Sequence, residues 1–305
     1  MKLEGIHHIT AITENAQRNV DFYAGVLGLR LVKKTVNQDN PTVYHLFFAD
    51  EEGDAGSDLT FFEYPGAAPG RPGAGMVHRI VWRVASAEAL DFWAERLRAN
   101  DTESERNGDS LVFSDPEGLD HELLVVDVPD QPLIADHPEV PGEVALQGFH
   151  AVRAYSVSPD ASSRLLEALE FEQVDGAWEA RGEQRGGLYA YDEPPAERGI
   201  QGAGSVHHVA WASTPEEHMQ WRERAMAGGA QPTPEIDRFY FKSIYFREPS
   251  GVLFEIATLG PGFTVDEPLE SLGEKLSLPP DFEHLREEVE PRLRPVVNPR
   301  VKSQG

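Results

Sequence analysis

Ile6-His7-His8-Ile9, Val77-His78-Arg79-Ile80, Phe149-His150-Ala151-Val152 and Val206-His207-His208-Val209 are four versions of one short pattern. In each, a histidine follows an apolar residue, with another apolar residue two places on, at the head of a strand-like alternation. The first histidines fall 71, 72 and 57 residues apart. Spacing on that scale marks a repeated supersecondary unit.

Working outward from each copy, a helical pattern follows the strand. Ala16, Val20, Tyr23 and Leu27 recur at helical spacing, with Gly28 placed as a C-terminal cap. Ser86 can cap a helix carrying Leu90, Trp93, Ala94 and Leu97. Ser158-Pro159 opens the third helix, with Leu165, Leu166 and Leu169, and Thr214-Pro215-Glu216-Glu217 reads as a capping box for the fourth. Strand-like runs come next, among them Arg30 to Val36, Thr42 to Phe48 and Asp58 to Tyr64. The expected unit is βαβββ, and four of them make an α+β protein of two pseudo-repeated domains. Residues 1–130 hold the first pair, 131–146 the proline-rich linker, 147–260 the second pair and 261–305 a C-terminal extension that packs on the body or on another subunit.

Composition narrows the functions. The 305 residues carry 52 acidic against 27 basic side chains, a net charge of −25 that disfavours nucleic acid and anionic membrane surfaces as partners. A surface this anionic suits concentrated salt, so a halophilic setting is expected. There is no cysteine, which removes disulfides, thiolate zinc sites and a cysteine nucleophile and leaves any metal to histidine and carboxylate. With no signal-like or membrane-length apolar stretch, the expected location is cytoplasmic.

Four βαβββ units, each opening on a strand histidine, resemble the vicinal oxygen chelate superfamily. That resemblance implies cup-shaped, incompletely closed mixed β-barrels, in which paired units surround a metal.

Strand alternation puts His7 and His8 on opposite faces, and likewise His207 and His208. The first histidine of each unit shares parity with the greasier set, Ile80, Trp82 and Val84, or Val209 and Trp211. The second position is histidine only in units one and four, which singles out His8 and His208 as ligands. Glu255, inside the apolar run Val252-Leu253-Phe254-Glu255-Ile256, is the carboxylate that a metal would account for. His78 and His150 read as structural. His7 and His207 stay open between a structural hydrogen bond and a place beside the metal. Unit two pairs Arg79 with Glu122, a combination suited to a salt bridge. Glu63 poses a choice: pointing outward it leaves a two-histidine, one-carboxylate site with open positions for Fe(II) and oxygen; pointing inward it completes a glyoxalase-type isomerase site.

A closer resemblance bears on that choice. Ile6-His7-His8-Ile9-Thr10, Asp21-Phe22-Tyr23, Tyr44-His45-Leu46-Phe47-Phe48-Ala49-Asp50, Gly148-Phe149-His150, Tyr245 ahead of Gly251-Val252-Leu253-Phe254-Glu255, and the tail from Gly262 to Gly273 are similar to the hydroquinone-type ring-cleaving dioxygenases of the superfamily. The resemblance implies Fe(II), with Mn(II) sharing its ligand preferences, bound by His8, His208 and Glu255 between units one and four. It places His7, Thr10, His207, Arg238 and Tyr245 around that metal. The implied reaction inserts both atoms of O2 into a hydroquinone- or catechol-type aromatic and opens the ring. A metal-dependent isomerase or lyase, or a binding protein for a small molecule, are the competing readings, and a homo-oligomer is the expected assembly.

Overall fold

The structure is a computed structural model and describes residues 1–300. Unit one comprises β1 (Ile6–Thr13), α1 (Ala16–Val20), β2 (Arg30–Asn37), β3 (Asn40–Ala49) and β4 (Asp58–Glu63). Unit two comprises β5 (Val77–Val84), α2 (Ala87–Ala99), β6 (Ser104–Asn107), β7 (Ser110–Ser114) and β8 (Asp120–Val125). Unit three follows with β9 (Phe149–Tyr155), α3 (Ser163–Ala168), β10 (Glu172–Val174), β11 (Ala177–Arg181) and β12 (Gly186–Asp192). Unit four is β13 (Val206–Ser213), α4 (His218–Ala227), β14 (Ile236–Asp237), β15 (Lys242–Arg247) and β16 (Leu253–Thr258). All four units are βαβββ.

The helices start for different reasons. Ser86 accepts from Ala89 N at 3.3 Å and caps α2. In α1 the expected helix widens into a π-turn over Asp21–Val26 before Gly28 ends it at φ +73°. Ser158 makes no side-chain cap, because Pro159 opens a 3₁₀ turn first. The capping box at Thr214 does not form: Glu217 N donates to the Thr214 carbonyl, closing a turn, and α4 begins at His218.

The chain builds two mixed eight-stranded sheets, ordered β14-β15-β16-β13-β1-β4-β3-β2 and β10-β11-β12-β9-β5-β8-β7-β6. Unit one therefore shares a sheet with unit four, and unit two with unit three. Each half of the sequence contributes one unit to each sheet. The apolar faces meet the helices in a core where Trp82, Trp93, Trp211 and Trp221 are fully buried; this agrees with the greasier parity read for Trp82 and Trp211.

In the central strand pair of each sheet, strict alternation is broken twice, each time at the first histidine of a unit. In the β1–β13 pair Ile6 faces Trp211 and His8 faces Ala210, leaving His7 as an extra residue; Thr10 faces His208 and Ala11 faces Val206, leaving His207 extra. In the β5–β9 pair His78 and His150 are extra in the same way. A β-bulge re-aims its side chain, so adjacent histidines need not point apart.

The C-terminal extension packs on unit one. Lys33, fully buried in β2, pairs with Glu267 and with Asp266 at 2.7 Å and donates to the Phe263 carbonyl. Two carboxylates compensate the desolvated ammonium. Tyr240 donates to Asp266 at 3.0 Å, which ties this clamp to the wall of the cup.

Candidate metal centre

The central antiparallel pair of the first sheet brings His8 of β1 and His208 of β13 together, and β16, parallel to β13, sets Glu255 beside Ala210. His8 Nε2 lies 3.3 Å from His208 Nε2 and 3.2 Å from Glu255 Oε2, and His208 Nε2 lies 3.0 Å from the same oxygen. All three are buried, at 2%, 4% and 0% exposure. Among the described residues they are the one cluster of three histidine or carboxylate groups close enough to share an ion.

The donor set fits a divalent metal. Three donors bound at about 2.0–2.2 Å and at right angles stand about 3 Å apart, the edge lengths found here. Neither oxygen of the fully buried Glu255 meets a hydrogen-bond donor, a cost that a cation removes. Burial pushes the Glu255 carboxyl up, and positive charge at the His8 and His208 position outweighs burial and holds it well below the usual carboxylate range; with the two rings neutral, a bound cation would supply that charge.

The bulged histidines meet the outer nitrogens of their neighbours. His7 Nε2 lies 3.1 Å from the Thr258 carbonyl and so carries its proton there, leaving Nδ1 to accept. That Nδ1 is 2.9 Å from His8 Nδ1, which must donate, so His8 Nε2 presents a lone pair to the cluster. Burial, with the neighbouring His8, lowers the His7 pKa to about 3, which keeps the ring neutral. His207 Nδ1 lies 2.7 Å from His208 Nδ1, without a carbonyl among the described residues at its far nitrogen to set which of the two donates. The His207 pKa is lowered to about 4, chiefly by burial, though its outer edge reaches solvent. Strand alternation separates these pairs in the sequence; the bulges join them.

Glu63 points away. Its carboxylate accepts from Ala16 N at 3.0 Å, at the start of α1. The repeat identifies what stands in the fourth position instead: Thr10 is registered with Thr60 as Ala210 is with Glu255, so Thr60 occupies the counterpart of the glutamate slot. Thr60 Oγ1 lies 2.8 Å from Thr10 Oγ1 and 2.9 Å from His45 Nε2. Thr10 thus acts beside the site through Thr60.

A cavity opens on His8 and His208, walled by His45, Phe62, Arg238, Phe241 and Tyr245 among others. Tyr245 is registered opposite Glu255, and its ring is 5.7 Å from that of His208. Burial, with Glu255 nearby, raises its phenol well above the usual range, so it is a donor at neutral pH. Arg238 stands over the Tyr245 ring at 5.5 Å and pairs with Asp39 at 3.0 Å. Its segment turns tightly at Phe239, φ +72°, where Tyr240 N donates to the Arg238 carbonyl; Gln38 Nε2 donates to that carbonyl as well. A non-glycine residue at this φ is strained by about 1–3 kcal/mol and stays there only when its surroundings hold it. His45 and Thr60 were not among the residues singled out from the sequence. The available signal was the alternation of His45 with Phe47 on β3. Burial, then His8 and His208, hold the His45 imidazole well below its ordinary pKa.

The fold is one of paired βαβββ units, and its first sheet carries a His8, His208 and Glu255 cluster that could hold a metal ion. The chain belongs to the Glyoxalase/Bleomycin resistance protein/Dioxygenase superfamily, whose family model matches residues 5–123 and 147–256. Over 97% of its length it is 40% identical to the whole of MhqA of Bacillus subtilis (strain 168), a protein provisionally named a ring-cleaving dioxygenase. It is 36% identical to the chlorohydroquinone/hydroquinone 1,2-dioxygenase of Sphingobium indicum, covering 98% of each chain. A crystal structure of a Bacillus subtilis protein, also provisionally named a dioxygenase, superposes with a TM-score of 0.90 at 39% identity, covering 98% of this chain and 99% of that one. Glyoxalase I from Zea mays shares the fold, with a TM-score of 0.59 at 14% identity, covering 84% of this chain and 92% of that one.

Proposed function

We propose that this protein is a non-haem Fe(II) dioxygenase that cleaves the ring of a hydroquinone-type aromatic diol with O2, with His8, His208 and Glu255 as metal ligands. The observation that carries the reading is the three-donor cluster with Thr60 in the slot of a fourth carboxylate. Three protein ligands leave coordination positions open for reactants, whereas a four-ligand site of the isomerase kind would fill one more. The names of the relatives supply the substrate class and the use of oxygen.

Held by His8, His208 and Glu255, the iron would supply Lewis acidity toward the phenol and a route for electrons between diol and oxygen. The chain's own residues prepare that encounter. His7 holds the His8 imidazole in the tautomer that offers Nε2, and His207 meets the outer nitrogen of His208. Arg238 places a fixed positive charge at the cavity wall, which favours the phenolate over the phenol. Tyr245 keeps its proton and can donate a hydrogen bond to a developing oxyanion. Phe62 and Phe241 give the ring of the substrate apolar walls.

Oxygen uptake by protein reconstituted anaerobically with Fe(II), in molar salt, over a panel of hydroquinones and catechols tests the proposal. The expected result is uptake matched one-to-one with ring-opened product, followed in the product spectra. Iron demonstrably bound without uptake on any diol would overturn it.

A further inference from the structure

We propose that His45 binds the substrate oxygen that the metal does not hold, and that Thr60 and Thr10 fix how its ring is presented. The inference rests on the diol reading above.

The His45 ring is clamped between Phe47, at 4.0 Å between centroids, and Phe62, at 4.4 Å. Its Nε2 is spent on Thr60, whose hydroxyl meets that of Thr10. Among the described residues the one side-chain hydrogen bond of the ring is that of Nε2, and the ring lines the same cavity as His8 and His208. The protein thus presents one anchored imidazole nitrogen to the substrate space, on the side of the cup where the repeat replaces glutamate with threonine.

The hydroxyl chain has two settings. If Thr10 donates to Thr60 and Thr60 to His45 Nε2, then Nδ1 carries the proton and donates into the cavity. If His45 Nε2 donates to Thr60 and Thr60 to Thr10, then Nδ1 accepts; a substrate hydroxyl, which both donates and accepts, pairs with Nδ1 in either setting. Such a group discriminates between a diol and a mono-phenol of the same shape, because the mono-phenol leaves Nδ1 desolvated and unpaired. It also favours a para-diol. In an ortho-diol both oxygens lie at one edge of the ring, within reach of the same metal, whereas in a para-diol the second oxygen lies across the ring and needs a partner from the protein.

The test compares anaerobic binding of hydroquinone and of 4-methylphenol, its near-isostere lacking the second hydroxyl, to iron-loaded protein. Wild type should prefer hydroquinone about tenfold, a loss typical of one buried hydrogen bond. His45→Phe should bring the ratio close to one with iron content unchanged. Thr60→Val keeps the imidazole, removes its anchor and should lower the ratio about threefold, and it serves as the second arm if His45→Phe does not fold. A ratio unchanged in both variants overturns the contact. Wild-type protein that cleaves hydroquinone yet binds both phenols equally overturns it too, while leaving ring cleavage standing. A tenfold preference lost in His45→Phe, in a protein that takes up no oxygen, supports the contact and overturns the ring-cleavage reading instead.

Discussion

The two cups of this molecule share one scaffold and differ in the side chains that stand where the first cup has its two ligand histidines. Both have a central antiparallel strand pair with a bulged histidine on each strand, His7 and His207 in the first, His78 and His150 in the second. By register, the places of His8, His208 and Glu255 in the first cup are taken in the second by Ala151, Arg79 and Glu122. There Arg79 lies 3.3 Å from Glu122. The guanidinium supplies internally the positive charge that the first cup would take from a metal. His78, freed of any ligand to orient, stacks on Tyr155 at 3.9 Å and meets Asp192 at 2.8 Å. The bulge is therefore a feature of the fold, and the metal centre is a choice of residues placed on it.

The largest effect on this contrast comes from emptying the first cup. Glu255→Ala should remove bound iron and lower turnover by more than about a hundredfold, beyond the usual cost of losing an outer hydrogen-bond partner. Far-UV circular dichroism should stay native, since sheet pairing assembles the cup; metal analysis showing full iron would sink the ligand assignment. The converse experiment fills the second cup. Arg79→His with Ala151→His leaves Glu122 in place and recreates the donor set, so metal stoichiometry should rise from one to two per chain. A stoichiometry that stays at one would mean that the second cup lacks the spacing of the first.

A finer comparison separates the bulged histidines by what they hold. His7→Phe removes the acceptor that fixes the His8 tautomer and should weaken metal binding by about 10–100-fold. His78→Phe, at a bulge of the other cup, should leave metal affinity unchanged. Competition with a chromophoric chelator reads both, and equal losses would show that the bulges act through the fold and not through the ligand.

Much of this contrast is legible in the sequence, and the part that is not has definite causes. The His8, His208 and Glu255 cluster follows from which units carry a second histidine and from a glutamate inside an apolar strand. The Arg79–Glu122 pair is legible for the same reason. The bulges are not, because one residue inserted against a partner strand changes no local pattern; alternation accordingly separated His7 from His8, which the structure joins. Nor is the pairing of unit one with unit four a local property, and the implied site between them came from resemblance. Thr60 emerges as the counterpart of Glu255 only once β4 and β16 are in register with their neighbours. In the strand itself, Glu63 is the more conspicuous candidate, three residues from the slot and engaged at the start of α1.

Acid should act on both cups, with the smaller difference between them carrying the information. Burial lowers His7 and, in the second sheet, His121 to about 3; Trp82 donates to the His121 Nδ1. Unfolded histidines take up protons near pH 6.5, whereas these do so only near 3, so between those values the unfolded chain binds more protons. Stability conferred by the neutral rings is full above about pH 6.5 and is lost as the pH falls through that window. Metal-free protein should therefore show an unfolding temperature that declines from pH 6.5 to 4, and a flat profile would contradict neutral, buried rings. Iron-loaded protein should start higher at pH 7 and converge on the metal-free curve in acid, because its ligands must be deprotonated to bind. The gap between the curves belongs to the first cup alone, since only there do three donors converge; in Glu255→Ala that gap should close while the common slope remains.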